Sequence, residues 1–344
     1  MLNLVTVVVV PRERFSMTRR SLESIYQHTP GDVPLIYVDG GSPRSVRRYL
    51  QGEAQKGKIQ LIRTNHYLSP NQARNIGFRA VQTKYTVFID NDAVVAPDWL
   101  GALVRCAEET GAWLVGPLYQ IGEVADRIIH MAGGTFEVRD ELGERVLTDR
   151  FRYPDTKVSE VPAPLKREPT QVLEFHCMLV RTEVRAAVGM LDEGLLSTAE
   201  HLDLCLAVRD LGQPIYFEPA SVVSYIPPPP FALSDIPFFV LRWSRAWNAE
   251  SLRRFKAKWG VEMHADHKSF LEAHRRLLFE SPLGALRRTV GERIASGLER
   301  RILFPLEAVL HNWFIRIASS EPTGDRVNSR NMETLRVTID RMQS

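Results

Sequence analysis

The stretch Tyr85-Thr86-Val87-Phe88-Ile89-Asp90-Asn91-Asp92 governs how the rest of the chain is read. Val87, Phe88 and Ile89 form an apolar run of strand formers that ends abruptly in two carboxylates separated by one asparagine. A buried strand ending this way delivers Asp90 and Asp92 to the rim of a sheet, where open α/β sheets bind their ligands. Desolvating two neighbouring carboxylates is costly unless a cation neutralises them. A hard divalent ion carrying a diphosphate is the usual partner. Asp and Asn also form turns after strands, so the flanking segments decide between the two readings.

Working outward, Val5–Val10 is a β-branched run without alternation, as in a central parallel strand covered on both faces. Pro11 ends it, and Ser16 is placed to cap a helix running to about His28. Strands are expected at Leu35–Val38, Ile59–Arg63 and Thr86–Ile89, and helices at Ser45–Gln55, Asn71–Val81 and Asp98–Thr110, with Gly111 as a C-terminal cap. Strands and helices alternating at this spacing predict βαβ units and a mostly parallel sheet. Residues 120–170 read as loops and short strands, Leu173–Val180 as a strand, and Ser197–Leu211 as a helix stopped by Gly212. The polyproline segment Pro227–Pro230 marks the expected boundary between a catalytic domain at 1–226 and a helical extension at 227–344.

Composition bounds the function. The 344 residues carry 44 Lys and Arg against 41 Asp and Glu, a net charge of +3 that gives no support to nucleic-acid binding. The three cysteines are scattered, so neither a disulfide framework nor a zinc cage is indicated, and a reducing cytoplasm fits. Leu4–Val10 is too short for a span and lacks a basic leader, and nothing approaches the roughly 20 apolar residues a membrane helix needs.

Several polar clusters lie where ligands would be met. Asp39, closing a strand before Gly40 and Gly41, can accept a hydrogen bond from a ring N–H while the glycines admit a flat ligand; the same residues also suit a tight turn. Asn71, Arg74 and Asn75 share one face at the positive end of a helix, which suits a phosphate. In Ser197–Asp203, Ser197 and Glu200 fit a capping box, whereas His201 and Asp203 have no such role. A histidine with a pKa near 6.5 suits a general base, with Asp203 to orient it or to serve as the base itself. His176 stands in Glu174-Phe175-His176-Cys177, and Arg242 follows the polyproline segment; a core histidine and a helix-surface arginine are the plainer readings of those two.

Together these segments resemble the family 2 glycosyltransferases of GT-A fold over about residues 3–225. The carriers are Val7–Pro11, Tyr37–Ser42, the Ala73-Arg74-Asn75-Ile76-Gly77 element, Asp90-Asn91-Asp92, and Met190–Glu193 followed by Ala199–Leu204. The resemblance implies an inverting transfer from a nucleotide-sugar, a UDP-sugar foremost, to a saccharide or lipid-linked acceptor of the cell envelope. Asp39 would hold the base, Asp90 the ribose and the metal, and Asp92 an Mn²⁺ or Mg²⁺ ion on the diphosphate. His176 would line the acceptor side and Arg242 would reach the diphosphate. The family's catalytic aspartate is replaced by His201, leaving His201, Asp203 and Glu200 as the catalytic candidates. A second departure is the charged loop Pro11-Arg12-Glu13-Arg14, which would help hold the phosphates. A nucleotide-sugar-binding scaffold without activity and a sugar-phosphate nucleotidyltransferase are the rival readings, although the latter wants glycines straight after the first strand. Leu298–Ala318 reads as an amphipathic helix that would pack on the catalytic domain, pair two subunits, or rest on the inner face of a membrane.

Overall fold

The structure is a computed structural model that describes residues 2–141 and 143–291, with Gly297, Arg301, Ile302 and Val309 beyond them. The amphipathic segment expected at 298–318 therefore falls almost wholly outside the described residues.

The chain opens with β1 (Val5–Val10), α1 (Thr18–His28), β2 (Leu35–Gly40), α2 (Arg44–Gln55), β3 (Gln60–Thr64), α3 (Pro70–Ala80) and β4 (Tyr85–Asp90). β1 pairs in parallel with both β4 and β2, and β2 with β3, so the strands lie in the order β3-β2-β1-β4. Every residue of β1 and β4 is buried, which is why neither sequence alternates. α3 packs across β1 and β2 so closely that a Cβ at Gly77 would stand 2.3 Å from Val8 Cγ1. Only glycine allows that approach.

Next come β5 (Ala93–Val95), α4 (Trp99–Thr110), β6 (Leu114–Ile121), β7 (Ile128–Met131), the hairpin β8 (Gly134–Glu141) and β9 (Glu144–Phe151), and the short β10 (Thr156–Lys157) and β11 (Glu168–Pro169). The chain continues through β12 (Cys177–Arg181), α5 (Val184–Ala187), α6 (Glu200–Asp210) and β13 (Ile215–Tyr225). It then forms α7 (Ile236–Arg242), α8 (Arg245–Trp259), β14 (Glu262–Met263) and α9 (Ala265–Val290). β12 inserts antiparallel between β4 and β6, and β13 runs parallel to β6, extending one continuous sheet. Apolar clusters cover both faces: Val8, Val38, Phe78, Phe88 and Met178 on one, and Val7, Val9, Leu22, Val87 and Leu103 on the other.

The structure corrects several expectations. β6 and β13 are long strands where none was expected, because Gly116-Pro117 and Pro219 interrupt their patterns; Pro219 sits where the β6–β13 register shifts, a place strand prolines are tolerated. β12 starts at Cys177 rather than Leu173. α6 starts at Glu200 behind Ala199, so the expected Ser197–Glu200 capping box does not form. Ser197 Oγ donates instead to the Arg242 carbonyl at 2.7 Å. Ser16 likewise caps nothing; its N–H and hydroxyl go to Asp235 at 2.9 and 2.5 Å.

Candidate active site

The carboxyl ends of β1, β2 and β4 and the start of α3 meet in one buried polar cluster. Asp90 and Asp92 are both fully buried, yet their environments differ completely. Asp90 lies 3.2 Å from Arg12 Nη1, 3.2 Å from Arg74 Nη2 and 3.5 Å from His176 Nδ1. Burial alone would raise its pKa, but His176, Arg74 and Arg12 outweigh it and hold the carboxyl below its usual range. Among the described residues, neither oxygen of Asp92 has a hydrogen-bond partner. Burial, with Glu13 and Asp90 as like charges, pushes its pKa well up. Asn91 between them is structural: its amide donates to Arg14 O at 2.9 Å and Thr18 Oγ1 at 3.1 Å, and its oxygen accepts from Arg12 N at 3.0 Å. It fixes the loop that Pro11 opens.

Arg74 is buried from α3 with its guanidinium 3.9 Å over the Phe175 ring. Burial lowers its pKa against the pull of Asp90 and Glu200. Glu200 is 3.7 Å from Arg74 and 3.1 Å from Arg242. The helix-surface reading of Arg242 fails, since that side chain is buried, also donates to Ser197 O, and has its pKa brought down to about 10 by burial. Arg12, Arg74 and Arg242 thus supply positive charge around Asp90 and Glu200.

Other expected ligand-binding side chains are committed to the protein itself. Asn71 donates to Asp192 O, and Asn75 to Leu191 O, both at 2.9 Å, pinning α3 to the turn before α6. Glu13 is fully buried and accepts from Tyr225, from Trp243 Nε1 at 2.7 Å and from His274 Nε2 at 2.9 Å. Asp39 accepts from Ser42 N and Oγ, each at 2.8 Å, and from Arg63, beside Gly40 at the rim. Asp203, expected to orient His201 or to serve as the base, is buried beneath Lys258 and Trp259 Nε1, the latter at 2.8 Å. His201 is half-buried and its Nε2 has no partner among the described residues.

His176 is buried, stacked on Tyr225 with centroids 4.2 Å apart, and burial brings its pKa down to about 4. Its Nδ1 and the carboxylates of Asp90 and Asp92 form one group that could hold a cation. Tyr225 and His274 were not anticipated in the site. Their partners lie some two hundred residues away in sequence, and only the spacing-blind features of an aromatic and a charge pointed to them.

Residues 6–161 match the family model for glycosyl transferase family 2. Over that segment, a little under half of its length, the chain is similar to that family. It is 27% identical over 215 residues to uncharacterized protein y4gI of Sinorhizobium fredii, covering 61% of this chain and 23% of that protein. It is 26% identical over 231 residues to the pre-mycofactocin glycosyltransferase of Mycobacterium tuberculosis, covering 64% of this chain and 42% of that one. The chain thus spans less than half the length of these curated relatives. In fold it resembles the crystal structure of GalNAc-T7 with UDP, GalNAc and Mn²⁺, at a TM-score of 0.52 and 16% identity, covering 83% of this chain and 57% of that one. The expected GT-A architecture is borne out. No helix among the described residues is long and apolar enough to cross a membrane.

Proposed function

We propose that the chain transfers a glycosyl group, with inversion, from a nucleotide-diphosphate sugar to an acceptor hydroxyl on a saccharide or lipid-linked glycan. The observation that carries this reading is Asp92: a fully buried carboxylate with both oxygens unpartnered, beside an Asp90 already neutralised by two arginines. A buried charge left so is costly unless its partner is a ligand. The donor set is oxygen-rich, which suits Mn²⁺ or Mg²⁺, and Asp92 with Asp90 would hold the ion. Such an ion neutralises the diphosphate leaving group.

The chain's own residues do the rest. Asp39 and Gly40 flank the space for the base, and a uracil would be favoured there. Arg12, paired with Asp90, and Arg242, paired with Glu200, would face the diphosphate. His201 keeps an unpartnered Nε2 for the acceptor proton, while Asp203 is held by Lys258 and Trp259 and leaves the base role to His201. The acceptor side would face the cell-envelope machinery from the cytoplasm, with residues 298–318 as the membrane or dimer contact. The test is UDP binding by the full chain with and without Mn²⁺, scored by thermal shift. A ligand at a hundred times its Kd should stabilise by roughly 2.7 kcal/mol, and no Mn²⁺-dependent shift with any nucleotide would sink the reading.

A further inference from the structure

A second set of ligand-type side chains lies beside the carboxylate pair. His130 Nε2 stands 2.8 Å from Glu174 Oε2, and His176 Nε2 stands 3.3 Å from the same oxygen. The candidate ligand atoms of the three residues all fall within 4.8 Å of one another. We propose that His130, Glu174 and His176 form a site for a borderline transition-metal ion such as Zn²⁺, distinct from the oxygen site at Asp90 and Asp92.

Three features support a built site. The first is geometry. With metal–ligand bonds of about 2.0–2.1 Å, neighbouring ligand atoms of a tetrahedral zinc site stand about 3.3 Å apart, so these side chains need little rearrangement. The second is how the backbone aims them. β7 pairs with β6 through a register shift: Tyr119 faces Met131 while Gln120 faces Ile129, which leaves His130 as the extra residue of a bulge. Bulges re-aim side chains, and this one turns His130 out of the ladder toward Glu174. The third is the support behind the ligands. The buried Tyr119 hydroxyl accepts from Glu174 N at 3.1 Å and donates to Glu174 O at 2.9 Å, fixing the backbone that carries the carboxylate. The Asp90 carboxylate lies 3.5 Å from His176 Nδ1, the outer carboxylate that metal-bound imidazoles commonly have.

Ligand chemistry separates the two sites. Two imidazoles and one carboxylate suit Zn²⁺ or Co²⁺, whereas a carboxylate pair suits Mg²⁺ or Mn²⁺. The His130 and Glu174 side chains keep 21% and 14% exposure, enough for an ion to enter and keep a water. His201, whose field reaches Glu174, is a further candidate donor. Because His176 turns Nδ1 to Asp90 and Nε2 to Glu174, one ring joins both sites. The proposal does not depend on the donor reading.

The experiment uses full-length protein stripped with EDTA and titrated with Zn²⁺ by calorimetry, and with Co²⁺ by visible absorption, in the Asp92→Asn background to silence the oxygen site. One equivalent of Zn²⁺ and the intense absorption of tetrahedral Co²⁺ are expected. Adding His130→Ala should weaken Zn²⁺ at least about tenfold, since even an outer-sphere change costs roughly 10–100-fold. His130→Gln gives the same answer should the alanine variant misfold. Stoichiometric Zn²⁺ binding unaltered by either change would overturn the proposal, as would no Zn²⁺ binding in Asp92→Asn.

Discussion

Asp92 is a buried carboxyl that makes no hydrogen bond among the described residues and whose charged form its surroundings oppose, and that makes opposite predictions for stability and binding. Asp92→Asn keeps the shape and removes the titration that burial and its acidic neighbours make costly, so in EDTA at neutral pH the variant should be more stable than the parent by at least about 1.4 kcal/mol, the worth of one pKa unit. With Mn²⁺ and UDP the order should reverse, because only the parent gains from the ligand. Thermal melts in both conditions read the two effects separately. Asp90 should behave otherwise: taking away its partner in Arg74→Ala leaves a buried carboxylate short of a charge, at a cost of about 3–5 kcal/mol. In the sequence Asp90 and Asp92 looked alike, two carboxylates at a strand end. What divides them, Arg12 and Arg74 on one and none on the other, comes from segments 78 and 16 residues away from Asp90, and side-chain pairing at such distances leaves no local pattern.

Among the elements, the alternation from β1 to α4 was legible because β1 and β4 are buried apolar runs and α1, α2 and α4 each stop within two residues of a glycine or proline. β6 and β13 were not, since their prolines hide strands whose assignment depends on a neighbour. The same holds for α6. Its first turn looked self-sufficient, but α7 and α8 supply the partners of Ser197, Glu200 and Asp203. Asp203→Asn should therefore loosen α8 and lower the melting temperature while leaving turnover within a few-fold. His201→Ala should lower turnover roughly 10²–10⁴-fold with folding unchanged. Steady-state rates on a nucleotide-sugar, read beside melts, separate the two, and a dead but stable Asp203→Asn enzyme would move the base to Asp203. The loop after β1 makes a pH prediction. Burial would raise the Glu13 pKa, but His274, Arg12 and Tyr225 hold it well below the usual carboxylate range. A depressed folded-state pKa stabilises above the unfolded value of about 4.3 and is lost as pH falls below it. Stability should accordingly drop on acidification below about pH 4, and Glu13→Gln should flatten that part of the curve.

For the molecule as a whole, the polyproline segment looked like a seam between a catalytic unit and an appendage. Across it, however, run the contacts that complete the site. Arg14 donates to Ile226 O and, at 3.0 Å, to Pro230 O. Asp235 accepts from Ser16, Arg242 neutralises Glu200, and Trp243 and His274 satisfy Glu13. Each of these acidic groups is buried, and a buried carboxylate stripped of its partner costs several kcal/mol. Domain stabilities are about 5–15 kcal/mol in all, so residues 1–226 without α7, α8 and α9, which leave Glu13 with Tyr225 and Glu200 with Arg74 at 3.7 Å, lose contacts worth a large share of the whole. A chain ending at Ile226 should thus fail to give a cooperative melt, whereas one ending at Val290 keeps every contact just named and should melt near the parent and bind UDP with Mn²⁺. A cooperative, nucleotide-binding 1–226 fragment would show instead that the site is complete before the prolines and that the later helices only cover it.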